Sequence, residues 1–268
     1  MPSSVIKRNN VTITGKLSGA RTIVFVHGIG TDQSAWQDVA KQFMTDFRVV
    51  LLDNVGAGHS DPEAFIHSRY LNLKGYASDL LEVCLALQLR DVILVGHSAG
   101  AMIGLLAAVD RPDIFSRLVL ISASPRYIDE EGYRGGFSVK DINAIYDSIA
   151  REYSSWADQF APMMMANTDQ PRLVTRFSDS LKRIPAERAL TVFCSILQSD
   201  HRHAVRQLKR PTLIIQSQND NAVPREVAEY LHASITGSQL KIIDTEGHLP
   251  HISAPEKVIE AMKEFVCA

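Results

Sequence analysis

The sequence predicts an α/β protein: a mostly parallel, doubly wound sheet with a block of helices inserted past its middle. Three observations lead there. Apolar runs without alternation recur at Ile23 to Val26, Val49 to Leu52, Val92 to Val95, Leu118 to Ile121, Leu213 to Ile215 and Leu240 to Ile243. Strands covered on both faces read this way, as in a parallel sheet with helices above and below. Segments with helical periodicity alternate with these runs toward both ends of the chain. Residues 126–205 contain no such run and break the rhythm.

Taken in order, residues 5–14 predict two short strands around an Asn9-Asn10 turn. Val11 and Ile13 alternate there with Thr12 and Thr14, which suits a half-exposed antiparallel edge. Leu80, Leu81, Cys84 and Leu87 recur at helical spacing over 75–89. The strand at Val92 to Val95 runs into Ala99 to Val109, apolar all round like a helix buried on every side. Pro224 and Pro255 sit where first helical residues belong. Val227, Tyr230 and Leu231 follow the one, and Val258, Ile259, Met262 and Phe265 the other.

The stretch 126–205 carries Tyr127, Tyr133, Phe137, Tyr146, Tyr153, Trp156, Phe160, Phe177 and Phe193, the triplet Met163 to Met165, and prolines 162, 171 and 185. It predicts a helical lid over the strand ends, inserted in a core of residues 1–125 and 206–268. The plainer alternative is a helical subdomain whose aromatics fill only its own interior. Methionines suit an adaptable pocket wall.

Composition bounds the function. Of 268 residues, 46% are hydrophobic and 22% charged, ordinary for a globular chain with a substantial core. A formal charge of −2 argues against nucleic acid and anionic membrane surfaces as partners. Cys84, Cys194 and Cys267 show no C-x-x-C spacing and read as free thiols in a reducing compartment. The N-terminal residues lack the apolar core of a secretory signal, and the longest apolar run, Ala101 to Val109, is far too short to span a bilayer. The expected location is cytoplasmic.

The chemistry centres on Gly96-His97-Ser98-Ala99-Gly100, a G-x-S-x-G match between strand and helix. The pattern alone is common, and its context is what gives it meaning. A strand turning so abruptly into a helix pushes the Ser98 hydroxyl out at the strand's C-terminal end. A serine hydroxyl is a poor nucleophile until a base takes its proton and a third group orients that base. On such a fold the partners follow in the order Ser, acid, His, beyond the C-terminal ends of later strands.

Asp220 stands in the loop Gln216-Ser217-Gln218-Asn219-Asp220 after the run ending at Ile215. A turn or capping aspartate is the structural alternative. Asp110 and Asp113 end a helix, Asp129 and Asp141 open the insertion, and Ser122-Ala123-Ser124 carries no acid. After the last run, Asp244-Thr245-Glu246-Gly247-His248-Leu249-Pro250-His251 offers two histidines. His248 sits mid-loop after a glycine, whereas His251 reads as a surface or packing residue. His201 and His203 form an H-x-H with no third ligand nearby, so a solvated face outweighs a metal site. His97 reads as support for the turn.

An oxyanion also needs donors. The N–H of Ala99, at the start of a helix, is one. The second is the N–H of Ile29 in His27-Gly28-Ile29-Gly30, where glycines allow the turn that aims it inward. The Gly-rich Asp53-Asn54-Val55-Gly56-Ala57-Gly58-His59-Ser60 lacks the third glycine and lysine of a phosphate loop and reads as a tight turn.

With these positions in place, the chain resembles the α/β-hydrolases related to the bacterial stress-signalling hydrolase RsbQ and to the plant karrikin and strigolactone receptors. The resemblance runs from end to end. It is carried by residues 27–36, 53–61, 96–104, Ser122 to Tyr127, and Gly247-His248-Leu249-Pro250. It implies the α/β-hydrolase fold and a Ser98, Asp220, His248 triad, in agreement with the residue-by-residue reading. It also implies a four-helix lid and an apolar pocket with Tyr127, Phe137, Trp156, Phe160, Phe193, Leu197 and Ala222 as lining. No metal or organic cofactor is implied. Relatives commonly carry phenylalanine at the position of Ile29, so the plant ligands do not transfer.

The expectation is a serine hydrolase acting on a small apolar ester or lactone through an acyl-enzyme. Epoxide hydrolases and dehalogenases on this fold use an aspartate nucleophile, and Ser98 argues against them. A rival reading is a slow-turnover ligand sensor that signals through a protein contacting the lid. Met163 to Met165 and the basic run Arg202, Arg206, Lys209, Arg210 offer contact surface for it, and a solvated face is the alternative for the basic run. A carbon–carbon hydrolase or acyltransferase would use the same triad.

Overall fold

Five of the six apolar runs become strands buried on both faces, and the last, Leu240 to Ile243, which contains Lys241, lies in the half-buried strand at the far edge of the sheet. The computed structural model describes residues 4–167 and 169–268. In chain order its elements are α1 (Val5–Arg8), β1 (Thr12–Gly15), β2 (Thr22–Val26), α2 (Gln37–Lys41), β3 (Arg48–Leu52), α3 (Leu73–Ala86), β4 (Val92–His97), α4 (Ala99–Asp110) and β5 (Phe115–Ile121). The inserted helices α5 (Val139–Met165), α6 (Pro171–Lys182) and α7 (Ala186–Leu197) come next. Then follow α8 (Arg202–Gln207), β6 (Thr212–Asn219), α9 (Arg225–Ser234), β7 (Gln239–Glu246), α10 (Pro250–Ser253) and α11 (Pro255–Cys267).

The strands form one sheet in the order β1-β3-β2-β4-β5-β6-β7, parallel throughout except for β1, which pairs antiparallel with β3 at the edge. Alternate residues of each inner strand feed opposite cores. Val24, Val26 and Leu94 pack with Leu80 of α3, Met102 of α4 and Val227 of α9. Ile23, Phe25, Ile93 and Val95 pack with Trp36, Val39 of α2, and Val258 and Met262 of α11. This double burial is why the runs show no alternation. No helix among the described residues is long and apolar enough to cross a membrane.

The N-terminus corrects one expectation. Only Thr12–Gly15 is a strand, and Val5–Arg8 is a helical turn instead of its hairpin partner. Arg8 explains the difference: its guanidinium reaches Asp79 at 3.1 Å and Glu82 at 2.5 Å on α3, which a strand flush with the sheet edge would not allow. Asn9 is buried behind it and donates to the Asp53 carbonyl.

The inserted helices lie over the C-terminal ends of the strands. α5 breaks at Glu152, whose φ of −152° and ψ of 73° are not helical, so the insertion comprises four helical segments between 139 and 197. Ser138 and Asp141 form a capping box at its start. At its neck, Arg202 pairs with Asp200 at 2.6 Å and with Glu130 at 2.7 Å, and Arg126 joins the same carboxylates. Arg206 donates to the Tyr230 hydroxyl and Arg210 to the Pro112 carbonyl. Three of the four cations in that basic run are thus engaged within the fold.

Candidate active site

Ser98 caps the N-terminus of α4 with φ +53° and ψ −121°. A non-glycine residue there is strained by about 1–3 kcal/mol and persists only where its surroundings hold it. Here they do. The Ser98 N–H donates to the Ile121 carbonyl at 2.9 Å. Gly100 permits the close packing of α4 on β2, because a Cβ at that position would lie 2.3 Å from the Val26 carbonyl oxygen.

Asp220 follows β6 directly and His248 lies two residues beyond β7, so neighbouring strand ends deliver them to the serine. His248 Nε2 is 2.9 Å from Ser98 Oγ, and His248 Nδ1 is 3.0 Å from each Asp220 carboxylate oxygen. Asp220 Oδ1 accepts the N–H groups of Ala222 at 2.8 Å and Val223 at 3.0 Å, and Oδ2 accepts from Gln216 Nε2 at 3.1 Å. Burial alone would raise the Asp220 carboxyl; the facing His248 charge, its hydrogen bond and the two N–H donors outweigh that and hold it below the ordinary aspartate range. The three side chains are nearly inaccessible to solvent.

Further buried imidazoles lie close to His248. His97 Nε2 lies 2.7 Å from the His248 carbonyl, so this nitrogen carries the proton and donates it. Burial, then the neighbouring His248, pushes His97 down to about 3. His251 is also fully buried, with its ring 4.2 Å from that of His97 and 4.4 Å from Trp36, so it is a packing residue. Burial and the neighbouring histidines lower its pKa well below the ordinary value. His27 ties two loops together. Its Nδ1 donates to the Gly28 carbonyl at 2.7 Å, while Nε2 accepts the Asn54 N–H at 2.9 Å. That pins the loop carrying Ile29 beside the serine.

Above Ser98 lies a cleft with about 560 Å³ of empty space, its open mouth included. Of the expected lining, Tyr127, Phe137, Phe160, Phe193, Leu197 and Ala222 border it, as does Ile29. Trp156 does not. Its indole stacks behind Phe160 at 4.6 Å and meets Phe193 edge-on at 5.0 Å, so it backs the wall and does not face the ligand space. The Tyr127 hydroxyl is 3.5 Å from Ser98 Oγ, and burial pushes its phenol up to about 12, keeping it protonated.

Sequence reasoning missed several wall residues: Ile145, Met164, Phe177, Ile196 and Leu249. Phe177 and Met164 stood in the aromatic and methionine inventory of the insertion, but periodicity does not say which side of a lid helix faces a cavity. Gln216 was also missed, because a polar residue at the end of an apolar run looks like the exit of a strand. Among the described residues no cluster of His, Cys, Asp or Glu is placed to hold a metal, and His203 bonds Gln207 at 3.0 Å.

A family model described as "Alpha/beta hydrolase family" matches residues 23–261. The chain belongs to the α/β-hydrolase family. Within it, this hydrolase-fold chain is 40% identical over 263 residues to "Karrikin insensitive 2 receptor CA" of Petunia hybrida, covering 98% of this chain and 97% of that one. It is 37% identical over 261 residues to "Strigolactone esterase D14" of Arabidopsis thaliana, covering 97% of each. Its coordinates superpose on a hydrolase from Oleispira antarctica with a TM-score of 0.94 at 33% identity, over 98% of this chain and 96% of the other. These likenesses place it with the RsbQ-like and karrikin–strigolactone receptor-like α/β-hydrolases.

Proposed function

We propose that this α/β-hydrolase is a serine hydrolase cleaving a small apolar ester or lactone through an acyl-enzyme. The observation that carries the reading is the continuous relay from Asp220 through His248 to Ser98 Oγ, at 3.0 and 2.9 Å, at the floor of an apolar cleft. In this reading Ser98 Oγ attacks the carbonyl carbon while His248 Nε2 takes its proton. The Asp220 carboxylate holds Nδ1–H and offsets the imidazolium charge. The N–H groups of Ile29 and Ala99 receive the oxyanion, and that of Ala99 is free by position because it opens α4.

Collapse of the tetrahedral intermediate expels the alcohol, which takes the proton back from His248. Water then attacks the acyl-enzyme, with His248 again as base, and releases the acid. Tyr127 is placed to donate to the serine oxygen or to a bound ligand.

The test is Ser98→Ala assayed with p-nitrophenyl acetate. Turnover should drop about 10⁴- to 10⁶-fold. Turnover that survives the change would sink the assignment.

A second reading rests on relatives named as receptors across nearly their full length: ligand binding in the cleft alters the lid, and a protein partner reads it. Met163, 44% exposed, and Val139, 58% exposed, mark the accessible apolar surface at the two ends of α5. Wild-type turnover below about one per minute, against a median near 10 per second for enzymes, together with a partner captured only with ligand, would favour that output over metabolism.

A further inference from the structure

Beyond the cleft at Ser98, the fold encloses a second apolar chamber with about 440 Å³ of empty space, its open margin included. Val55, Leu73, Ile103 and Val192 line it, and Ile29 and Ile196 border both spaces. Gly28 to Gly30 and Ala99 form part of its wall, so the backbone proposed to hold the oxyanion stands between the two chambers. A carbonyl seated over Ser98 therefore has apolar walls on either side. Few polar side chains line the second chamber: His27, whose ring nitrogens are engaged by Gly28 and Asn54, Asn54, which donates to the His27 carbonyl, and Tyr76.

The far end is different. Gly56, Ala57 and Ile184 are shared with an outer recess of about 630 Å³, solvent included, between the loop from Gly56 to Pro62 and the turn joining α6 to α7. Arg183 and Arg188 are the charged residues bordering this recess, and no carboxylate lines it among the described residues. Arg188 lies over the Phe65 ring at 5.4 Å. Arg183 donates to Ser180 Oγ at 3.0 Å and stands 3.5 Å from Asp32 Oδ2. Both guanidinium groups border this recess, which adjoins the apolar chamber at Gly56, Ala57 and Ile184.

We infer that the substrate is bipartite: one apolar part occupies the cleft under Phe160, and a straight apolar arm passes Ile29 into the second chamber and ends in an anionic group at Arg183 and Arg188. The inference rests on the ester-hydrolase reading and names its substrate class. Burial of each methylene favours binding roughly fourfold, so chain length should register strongly. The terminal charge should register more weakly and be screened by salt.

Three p-nitrophenyl esters test this with the full chain: acetyl, octanoyl, and the monoester of octanedioic acid, which matches octanoyl in length but ends in a carboxylate. The octanoyl ester should exceed the acetyl ester at least tenfold in kcat/KM. The carboxylate-ended ester should exceed octanoyl about threefold, a margin lost in 1 M NaCl. Val192→Trp, filling the chamber, should cut the octanoyl-to-acetyl ratio at least tenfold. Ala57→Trp at the loop rim does the same should Val192→Trp fail to fold. The Arg183→Glu/Arg188→Glu variant should invert only the preference for the carboxylate end.

A chain-length response untouched by either tryptophan, or a carboxylate preference untouched by charge reversal, overturns the inference. If the wild type hydrolyses none of the esters, the hydrolase reading is what fails. The chamber is then judged by calorimetric titration with octanoate and octanedioate. Binding weakened at least tenfold by the tryptophan variants sustains it, and binding that is absent or unchanged overturns it.

Discussion

The main-chain N–H of His248 donates to the main-chain carbonyl of Met164 across 2.7 Å, so the His248 loop and the end of α5 share a hydrogen bond. Asn221 Nδ2 reinforces the junction by donating to the Met163 carbonyl at 2.7 Å. The loops bearing Asp220 and His248 are both docked on the last turn of α5. The placement of α5 and the placement of His248 are therefore coupled mechanically.

Gly247 sits at this junction with φ +85°, and a Cβ there would lie 2.0 Å from the Met165 carbonyl oxygen. Gly247→Ala should force the lid turn and the His248 loop apart, lowering kcat at least a hundredfold and costing about 2–4 kcal/mol of stability. Ester kinetics and urea unfolding together check it; wild-type kcat in a folded variant would refute the coupling.

Asp220→Asn keeps the size of the side chain but removes the charge and presents an amide to His248 Nδ1. The tautomer needed for proton abstraction is lost, and kcat should fall by about 10⁴ at neutral pH. Single-turnover kinetics distinguish this from a binding defect, which would appear as a raised KM with kcat retained.

The buried imidazoles make the fold acid-sensitive. His27, His97 and His251 all have pKa values lowered by burial, His97 to about 3. Below the ordinary histidine value of about 6.5 the unfolded chain takes up protons that the native state refuses, so stability falls with pH by about 1.4 kcal/mol per unit for each such group. The lowered carboxyl of Asp220 adds loss in the same direction at lower pH. His251 has no hydrogen-bond partner on either ring nitrogen among the described residues, so His251→Phe should keep the stack on Trp36 and flatten the slope between pH 6.5 and 4.5 by one proton. Urea midpoints across that range measure it; an unchanged slope would show that His251 titrates normally.

Phe160 faces the cleft, whereas Trp156 stands behind it. Phe160→Ala should therefore change KM for apolar esters at least tenfold while altering stability by about 3 kcal/mol. Trp156→Phe should leave KM within about threefold and cost stability alone. Equal effects on KM would put the indole in contact with ligand.

Much of this site could be read before any coordinates. Ser98, Asp220 and His248 each lie just beyond an apolar run, and the sheet brings the ends of parallel strands to one edge, so loop position was enough to nominate them. Trp156 was misassigned because helical spacing says that an aromatic is buried but not which neighbour buries it. Val5–Arg8 was misread because its conformation is set by ion pairs to Asp79 and Glu82, more than seventy residues away in the chain. Arg202 offered the same difficulty: a basic residue in a polar stretch is held by Asp200 and Glu130 at the neck of the lid.

The parallel sheet, the block of helices after its fifth strand and the three polar residues at the strand ends were all legible in residue types and their order. Those follow from burial on both faces and from the sharp turn at Ser98, and both leave a local imprint on residue type. How α5 docks on the His248 loop, which aromatics face the cleft, and that a second apolar chamber lies beside Ile29 emerge only in three dimensions. These depend on side-chain packing between segments far apart in the chain, where shape and distance, more than local pattern, set the free energy.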